Sequence, residues 1–393
     1  MMIKLNRLFY SPASTGAFYE ATKVSPSKRE YLVACKNKIR EHLRPAIEAA
    51  STTLLGMDDK VTPRFRTQGS WAYGTCVQPC TMPPQEIDWD YGLYLPIAVL
   101  EENGLPKTMA KTYFDLVERE LNLLCLREHW VLDRSKVTCI RLKVADWAHI
   151  DVPLYAASEE EFAKVRETVS KASMEGFRTM DSLAEGFAVD GAEWELSGPS
   201  WDEMDGIYLA NRNGEWVESD PHDVAKWFSD RCEEHGPQLK RVCRFLKSWR
   251  DYQWPNGGPT SISIMIAVSQ HFEPESGRDD LAIERSARLL AAALLLDIRE
   301  PGIDGGKDDF NRLDDLARRD ASARANALAQ SLRYACSLSL PQAQRAVDEL
   351  RSKFGDRLPN RPDWAEVDSA AGDIRKVPAV SVAPPVVGAM NAG

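Results

Sequence analysis

The sequence predicts an α+β protein whose strand-bearing N-terminal half is followed by a mostly helical C-terminal half. Two patterns carry this. In Ile87–Tyr94 apolar side chains recur at every second position, the period of a half-buried strand, and Val137–Val144 and His149–Tyr155 read as two more strands. From Pro221 onward apolar side chains recur every three to four positions, the period of a helix with one apolar face. With 393 residues, 44% of them apolar, the chain can bury a core in each of two or three domains.

Ser27 to Ala50 reads as a helix, with Leu32, Cys35, Ile39, Leu43 and Ile47 on one stripe and Lys36, Arg40 and Arg44 on another. A Gly/Ser-containing turn follows. Ile87–Tyr94 reads as a strand, with Ile87, Trp89 and Tyr91 facing one way and Asp88, Asp90 and Gly92 the other. Ala110–Leu126 is a helix. Val137–Val144 and His149–Tyr155 are strands joined by a turn at Asp146–Trp147. Residues 157–215 are rich in Glu, Asp and Gly and read as an insertion. Pro221–Tyr252 is helical with a break at Gly236-Pro237. Helices follow at Ser261–His271, Leu281–Ile298, Ala321–Ser337 and Pro341–Phe354. The last seventeen residues carry no charge, three prolines and two glycines, and are expected to form a flexible tail. Its apolar character fits a docking peptide. The expected units are 1–215, a core with an N-terminal helix; 216–370, a helical domain; and 371–393, the tail.

Composition excludes some functions. A net charge of −10 disfavours a general nucleic-acid binder. The longest apolar run, Leu289–Leu296, has eight residues, while a membrane span needs about 20. Met1–Tyr10 lacks the apolar stretch of a signal peptide, so a cytoplasmic protein is expected. The eight cysteines form no CxxC pair and are expected as free, mostly buried thiols.

The sharpest chemical signal is Gln68-Gly69-Ser70, then Asp88-Trp89-Asp90, then His149-Ile150-Asp151. Residues two apart on a strand share a face, so Asp88 and Asp90 present paired carboxylates. Such a pair repels unless a divalent cation with oxygen ligands neutralises it. Asp151 stands in the apolar run Ile150-Asp151-Val152, where an unpaired charge is costly. Three carboxylates on adjacent strands suit a two-metal site for phosphoryl transfer. Gly69 allows close backbone approach to a phosphate, and Ser70 adds an N–H and a hydroxyl. A plain turn before a strand explains each piece alone; their order together points to a nucleotidyltransferase.

A second piece lies on Leu239–Asp251. Opposite its apolar face stand Lys240, Arg241, Arg244 and Lys247, of which Lys247 is best placed to reach a triphosphate. Gly257-Gly258-Pro259-Thr260-Ser261 turns into a helix whose start could cap itself or hold a phosphate. Trp71 and Tyr73 flank the Gly-Ser turn, as base-stacking or core aromatics.

These residues lie in segments, TPRFRTQGSWAYGT, PPQEIDWDYGLYLP, HIDVPLYA, ESDPHDVAKWFSD and KRVCRFLKSWRDYQWPNGGPTSIS, through which the chain resembles the bacterial cGAS/DncV-like nucleotidyltransferases of the cyclic GMP-AMP synthase type. The resemblance runs from about residue 28 to 270. It implies a polymerase-beta-like nucleotidyltransferase core closed by a helical domain, with the nucleotide pocket between them. It implies that Ser70 contacts the donor triphosphate and that Asp88, Asp90 and Asp151 bind two Mg²⁺ ions, with Mn²⁺ as a substitute and Asp151 also as base. Gln68, Tyr73, Arg141, Ser219, Asp220, Lys247 and Ser261 fall on nucleotide-pocket positions of the family, and Asp304 matches a base-reading acid across a gap. The implied reaction joins ATP and GTP by two successive transfers into 3′,3′-cyclic GMP-AMP, a second messenger read by an effector in anti-phage defence. Gly393 stands where the family's C-terminal glycine is conjugated by an E1/E2-like ligase. Arg66 departs from the family, which carries an aromatic residue there.

The Gly-Ser and aspartate core is shared with nucleotidyltransferases acting on RNA ends or small molecules. An inactive nucleotide-binding scaffold is the non-enzyme alternative, against which the three retained carboxylates weigh.

Overall fold

A computed structural model describes residues 3–12, 16–57, 59–97, 107–158, 207–218, 221–299 and 309–368. The chain opens with β1 (Ile3–Lys4), α1 (Asn6–Phe9) and α2 (Phe18–Ala21), then enters α3 (Pro26–Ala50). Ser25 caps α3 by accepting from the Lys28 N–H, and Pro26 fills the first turn, where no N–H is needed. There follow β2 (Arg64–Gln68), α4 (Gly69–Ala72), β3 (Ile87–Ile97), α5 (Lys107–Glu128), β4 (Val131–Asp133), β5 (Ile140–Ala145), β6 (Ala148–Val152), β7 (Leu154–Ser158), β8 (Tyr208–Ala210) and β9 (Trp216–Glu218). The C-terminal half holds α6 (Pro221–His235), α7 (Pro237–Gln253), α8 (Ser261–Ser269), α9 (Asp279–Ala293), α10 (Asp315–Ser337), α11 (Ala343–Phe354) and β10 (Glu366–Val367).

The strands from β2 to β9 build one mixed sheet around β3. β2 runs antiparallel to β3; β6 and β7 run parallel to it in a single register, Asp90 opposite Asp151 and Leu93 opposite Leu154. They are one long strand divided at Pro153, which cannot donate to the ladder but whose carbonyl accepts from Leu93 N–H at 2.9 Å. β5 pairs with the outer edge of β6, and β8 with that of β7. The alternation expected in β3 is present. Ile87, Trp89, Tyr91, Leu93 and Leu95 are buried in a core shared with α3 and α5, and Asp88 and Asp90 face the other way. Lys36, counted in the basic stripe of α3, is instead buried, its ammonium 5.2 Å from the Trp89 ring centre and 5.5 Å from that of Tyr91.

A second core lies in the helices. Leu239, Val242, Cys243, Leu246 and Trp249 of α7, the predicted apolar face, are all buried in it. The expected division at residue 215 needs one correction. Ile3, Leu5, Leu8, Phe9 and Phe18 belong to this helical core, so the N-terminal segment packs with the second unit rather than the first. β1 pairs with β10, and Phe9 and Phe18 meet Phe245 and Phe354 at 5.1 to 5.7 Å between centroids. All eight cysteines are free. No helix among the described residues is long and apolar enough to cross a membrane. Ser219, Asp220, Asp304, Gly393 and the tail 371–393 lie outside the described residues.

Candidate active site

The site grows from strand register. β5, β6 and β3 lie side by side, with Arg141 opposite Asp151 and Asp151 opposite Asp90. One step along, Lys143 is opposite His149 and His149 opposite Asp88. Two cross-strand rows result, each with a cation on β5, a central group on β6 and a carboxylate on β3. In the first row Arg141 grips Asp151 with two parallel bonds, Nε and Nη2 each 2.7 Å from a carboxylate oxygen. In the second, Lys143 Nζ lies 3.3 Å from Glu86 Oε1, Glu86 Oε2 lies 2.6 Å from His149 Nδ1, and His149 Nε2 lies 3.0 Å from Asp88 Oδ1.

Electrostatics follow from crowding. Burial pushes the Asp90 carboxyl well above the usual carboxylate range, and the charges of Asp88 and Asp151 push it further. Burial also opposes ionisation of Asp88, but the adjoining His149 ring outweighs it and holds that carboxyl below its ordinary value. For His149 burial disfavours the charged ring, and the Asp88 carboxylate overrides it, raising the imidazole pKa. The crowding thus falls on Asp90, whose ionisation a nearby cation would favour.

The carboxylates fit a hard divalent ion: Asp88 and Asp151 bring oxygen atoms within 4.8 Å of one another, with His149 Nε2 inside the same group and 3.0 Å from Asp88 Oδ1. Asp90 leans over the backbone of Gly69. That glycine has φ +60°, and a Cβ there would overlap the Asp90 carboxylate. Only glycine lets the loop pass so close to the acids, and it brings Ser70 beside them.

The remaining expected residues divide. Gln68 is buried and turned into the sheet, its amide 2.5 Å from the Tyr94 hydroxyl and 3.4 Å from that of Tyr155. Trp71 stacks on Trp89 at 4.1 Å between ring centres and donates its indole N–H to the Asp88 carbonyl at 2.9 Å, so it braces the acid strand. Tyr73 packs edge-on against Phe228 of α6. Lys247, expected to reach across a cleft, is 4% exposed and donates to the Thr75 carbonyl at 2.8 Å; burial lowers its pKa to about 8. Ser261 opens α8, where the capping role falls to Thr260, and Arg250 Nη2 lies 3.2 Å from the Ser261 hydroxyl. The sequence assigns no role to Glu86 or to His149, which stands in the aspartate motif without one, although each lies two positions from an aspartate and so shares its face.

Comparison with known proteins agrees with this architecture. A family model for the nucleotidyltransferase domain of cyclic GMP-AMP synthase DncV-like proteins matches residues 63–155, and one for the cyclic GMP-AMP synthase C-terminal domain matches residues 236–365. A Vibrio cholerae cyclic GMP-AMP synthase is 38% identical over 213 residues, 53% of this chain and 47% of that protein, so this match spans about half the relative's length. An Escherichia coli cyclic GMP-AMP synthase is 34% identical over 311 residues, 77% of this chain and 69% of that protein. Vibrio cholerae DncV cyclic AMP-GMP synthase, solved in complex with the linear intermediate 5′ pppA(3′,5′)pG, superposes with a TM-score of 0.72 at 25% identity, covering 94% of this chain and 100% of that one. A Vibrio cholerae di-nucleotide cyclase in complex with GTP and 5MTHFGLU2 superposes with a TM-score of 0.74 over the same shares. With both domains matched in order and the acid rows sitting inside the first, the chain belongs to the DncV-like nucleotidyltransferase family.

Proposed function

We propose that this protein joins ATP and GTP into 3′,3′-cyclic GMP-AMP by two Mg²⁺-dependent nucleotidyl transfers. The observation that carries the reading is the meeting of Asp88, Asp90 and Asp151 on β3 and β6 beside the Gly69–Ser70 loop. Two Mg²⁺ ions held by these acids would polarise the donor phosphate and stabilise the pyrophosphate oxygen as it leaves. Ser70 holds the donor triphosphate. The acceptor 3′-hydroxyl forms a bond to the donor α-phosphorus as the bond to pyrophosphate breaks, and the hydroxyl proton passes to Asp151. Arg141, paired with Asp151 by two bonds, presents its guanidinium at the acid face, where it can also meet a phosphate of the nucleotide. Gln68, opposite Asp90 on the acid face, fixes the strand that enters the loop, and Lys247 fixes the turn that leaves it. Gly69 gives the loop its close approach, while Tyr73, Ser219, Asp220, Ser261 and Asp304 line the nucleotide pocket.

In the cell this reading makes the product a second messenger for anti-phage defence, formed in the cytoplasm and sensed by an effector. Gly393 is the point at which an E1/E2-like ligase attaches the enzyme to a target. Deleting Gly393 should leave synthesis by the purified protein unchanged and remove ligase adducts; adducts on the shortened chain would end that role.

The central test supplies the protein with Mg²⁺ and all four labelled ribonucleotides and identifies the product by mass. Cyclic GMP-AMP is expected, lost at least a thousandfold in Asp88→Ala and Asp90→Ala at unchanged thermal stability. A long polymer would favour transfer to RNA ends, and nucleotide binding without product would favour a scaffold.

A further inference from the structure

We infer that Glu86 and His149 are positioning residues for Asp88, a support for the metal-binding face that is separate from the aspartates themselves. The inference rests on the metal role assigned above. The two cross-strand rows are built alike but end differently. In the Arg141 row the guanidinium touches its carboxylate directly. In the Lys143 row the cation stops one residue short, and Glu86 and His149 fill the gap to Asp88. Asp88 has a half-exposed side chain, whereas His149 is nearly buried, so the ring is the fixed member and the carboxylate the movable one. A free aspartate on a strand face samples several rotamers, and ordering it at the moment of metal binding costs affinity. An imidazole wedged against one carboxylate oxygen removes that freedom and leaves the other oxygen for the cation. Glu86 fixes the ring in turn. Its 2.6 Å contact with Nδ1 sets which ring nitrogen faces Asp88, as outer carboxylates do for histidines near metals. Glu86, Asp88 and Asp90 stand at alternate positions in one chain segment, as do His149 and Asp151, so one sheet face carries the whole assembly.

The experiment uses the full chain and Mn²⁺ as probe. Binding is followed by electron paramagnetic resonance and calorimetry, with thermal unfolding measured in parallel. Glu86→Gln should weaken Mn²⁺ binding by about 10- to 100-fold at unchanged unfolding temperature. His149→Ala should weaken it similarly, His149→Gln should recover part of the loss, and the Glu86→Gln/His149→Ala pair should bind no more weakly than His149→Ala alone. At saturating metal, KM for ATP should be unaltered in Glu86→Gln. Affinity within twofold of wild type in Glu86→Gln, or additive losses in the double variant, would overturn the support. A spin-echo signature of directly bound nitrogen, lost in His149→Gln, would overturn it too, by making His149 a ligand. If Asp88→Asn itself leaves Mn²⁺ binding intact, the metal assignment fails and the support fails with it; intact dependence on Asp88 with indifference to Glu86 removes the support alone.

Discussion

Asp90 is the residue at which the site's chemistry and its pH dependence meet. Crowded by burial, Asp88 and Asp151, its carboxyl binds a proton far more readily than an ordinary aspartate. If Asp90 helps to hold the metal, as proposed above, a cation must displace that proton and its binding releases it. Affinity for Mg²⁺ or Mn²⁺ should therefore rise with pH, by up to about tenfold per unit while Asp90 is protonated in the metal-free protein, and level off above that point. Calorimetric titrations in buffers of different ionisation enthalpy read the released proton directly. A binding enthalpy independent of buffer would show that no acid is displaced. The proximity of these acids was legible in the sequence, because a two-residue spacing in β3 and a lone aspartate in an apolar strand leave few other arrangements. The partners were not. Arg141 reaches Asp151, and His149 reaches Asp88, through register between strands, and no spacing within one strand encodes which residue stands opposite.

Among the elements, α7 has the most unexpected role. Its apolar face is as the periodicity requires, but its basic face is divided: Lys240 is exposed and Arg241 pairs with Asp279, whereas Arg244 and Lys247 are buried. Arg244 lies 3.5 Å from the Gly74 carbonyl and Lys247 2.8 Å from that of Thr75, while Arg357, beyond α11, lies 2.6 Å from that of Gln78. Among the described residues, none of the three cations is paired with a carboxylate, and burial lowers the pKa of each. They hold the loop after α4 by charge-assisted bonds to backbone, and through Thr75 N–H to the Ser70 carbonyl they reach the Gly69–Ser70 turn itself. For Lys247 this has a cost. Burial brings its folded pKa to about 8, below the ordinary lysine value of 10.5, so the folded state resists the charge. The penalty is complete below pH 8 and fades as pH rises toward 10.5, because the folded protein sheds the proton first. Relative to Lys247→Met, the wild type should gain about 3 kcal/mol of unfolding free energy across that window. Denaturant titrations of both proteins at pH 7.5 and pH 10.5 test this, and a constant difference would place Lys247 in a wetter setting. The helix was legible from its period; the direction of its basic side chains was not, since an amphipathic pattern says which face is apolar and not what lies against the other.

At the scale of the molecule, the two ends of the described chain meet. β1 pairs with β10, Leu5 N–H donates to Asp280 at 2.9 Å, and Arg278 bridges Asp280 and Asp368 at 2.9 and 2.6 Å. The first 22 residues thus complete the helical core although the strand unit separates them from it in sequence. Removing residues 1–22 uncovers Phe245 and Phe354 and leaves buried Asp279 and Asp280 without Asn6 and Leu5. Losing Ile3, Leu5, Leu8, Phe9 and Phe18 from that core removes roughly 1.5 to 3 kcal/mol each, together comparable to a typical domain's whole stability. The truncated chain should show an early unfolding transition or none, with proteolysis concentrated between residues 221 and 368. Unfolding and digestion like those of the full chain would show the segment to be dispensable. Clasps between the units work in the same way: Gln85 donates to the carbonyls of Asp251 and Trp254 at 2.7 and 3.0 Å, joining the acid strand to the end of α7.

By itself the sequence determined the strand and helix periods, the face shared by Asp88 and Asp90, the placing of Asp151 in a neighbouring apolar strand, the close turn at Gly69 and the family resemblance those segments carry. Each is a local property, fixed by spacing along one stretch of chain. Tertiary structure alone decided the pairing of Arg141 with Asp151, the Glu86–His149 support of Asp88, the inward turn of Gln68, Lys36 and Lys247, and the return of the N-terminus to the helical core. Those depend on which surfaces exclude water together. The free energy of burying a side chain is set by neighbours far away in sequence, so it cannot be read from the residues beside it.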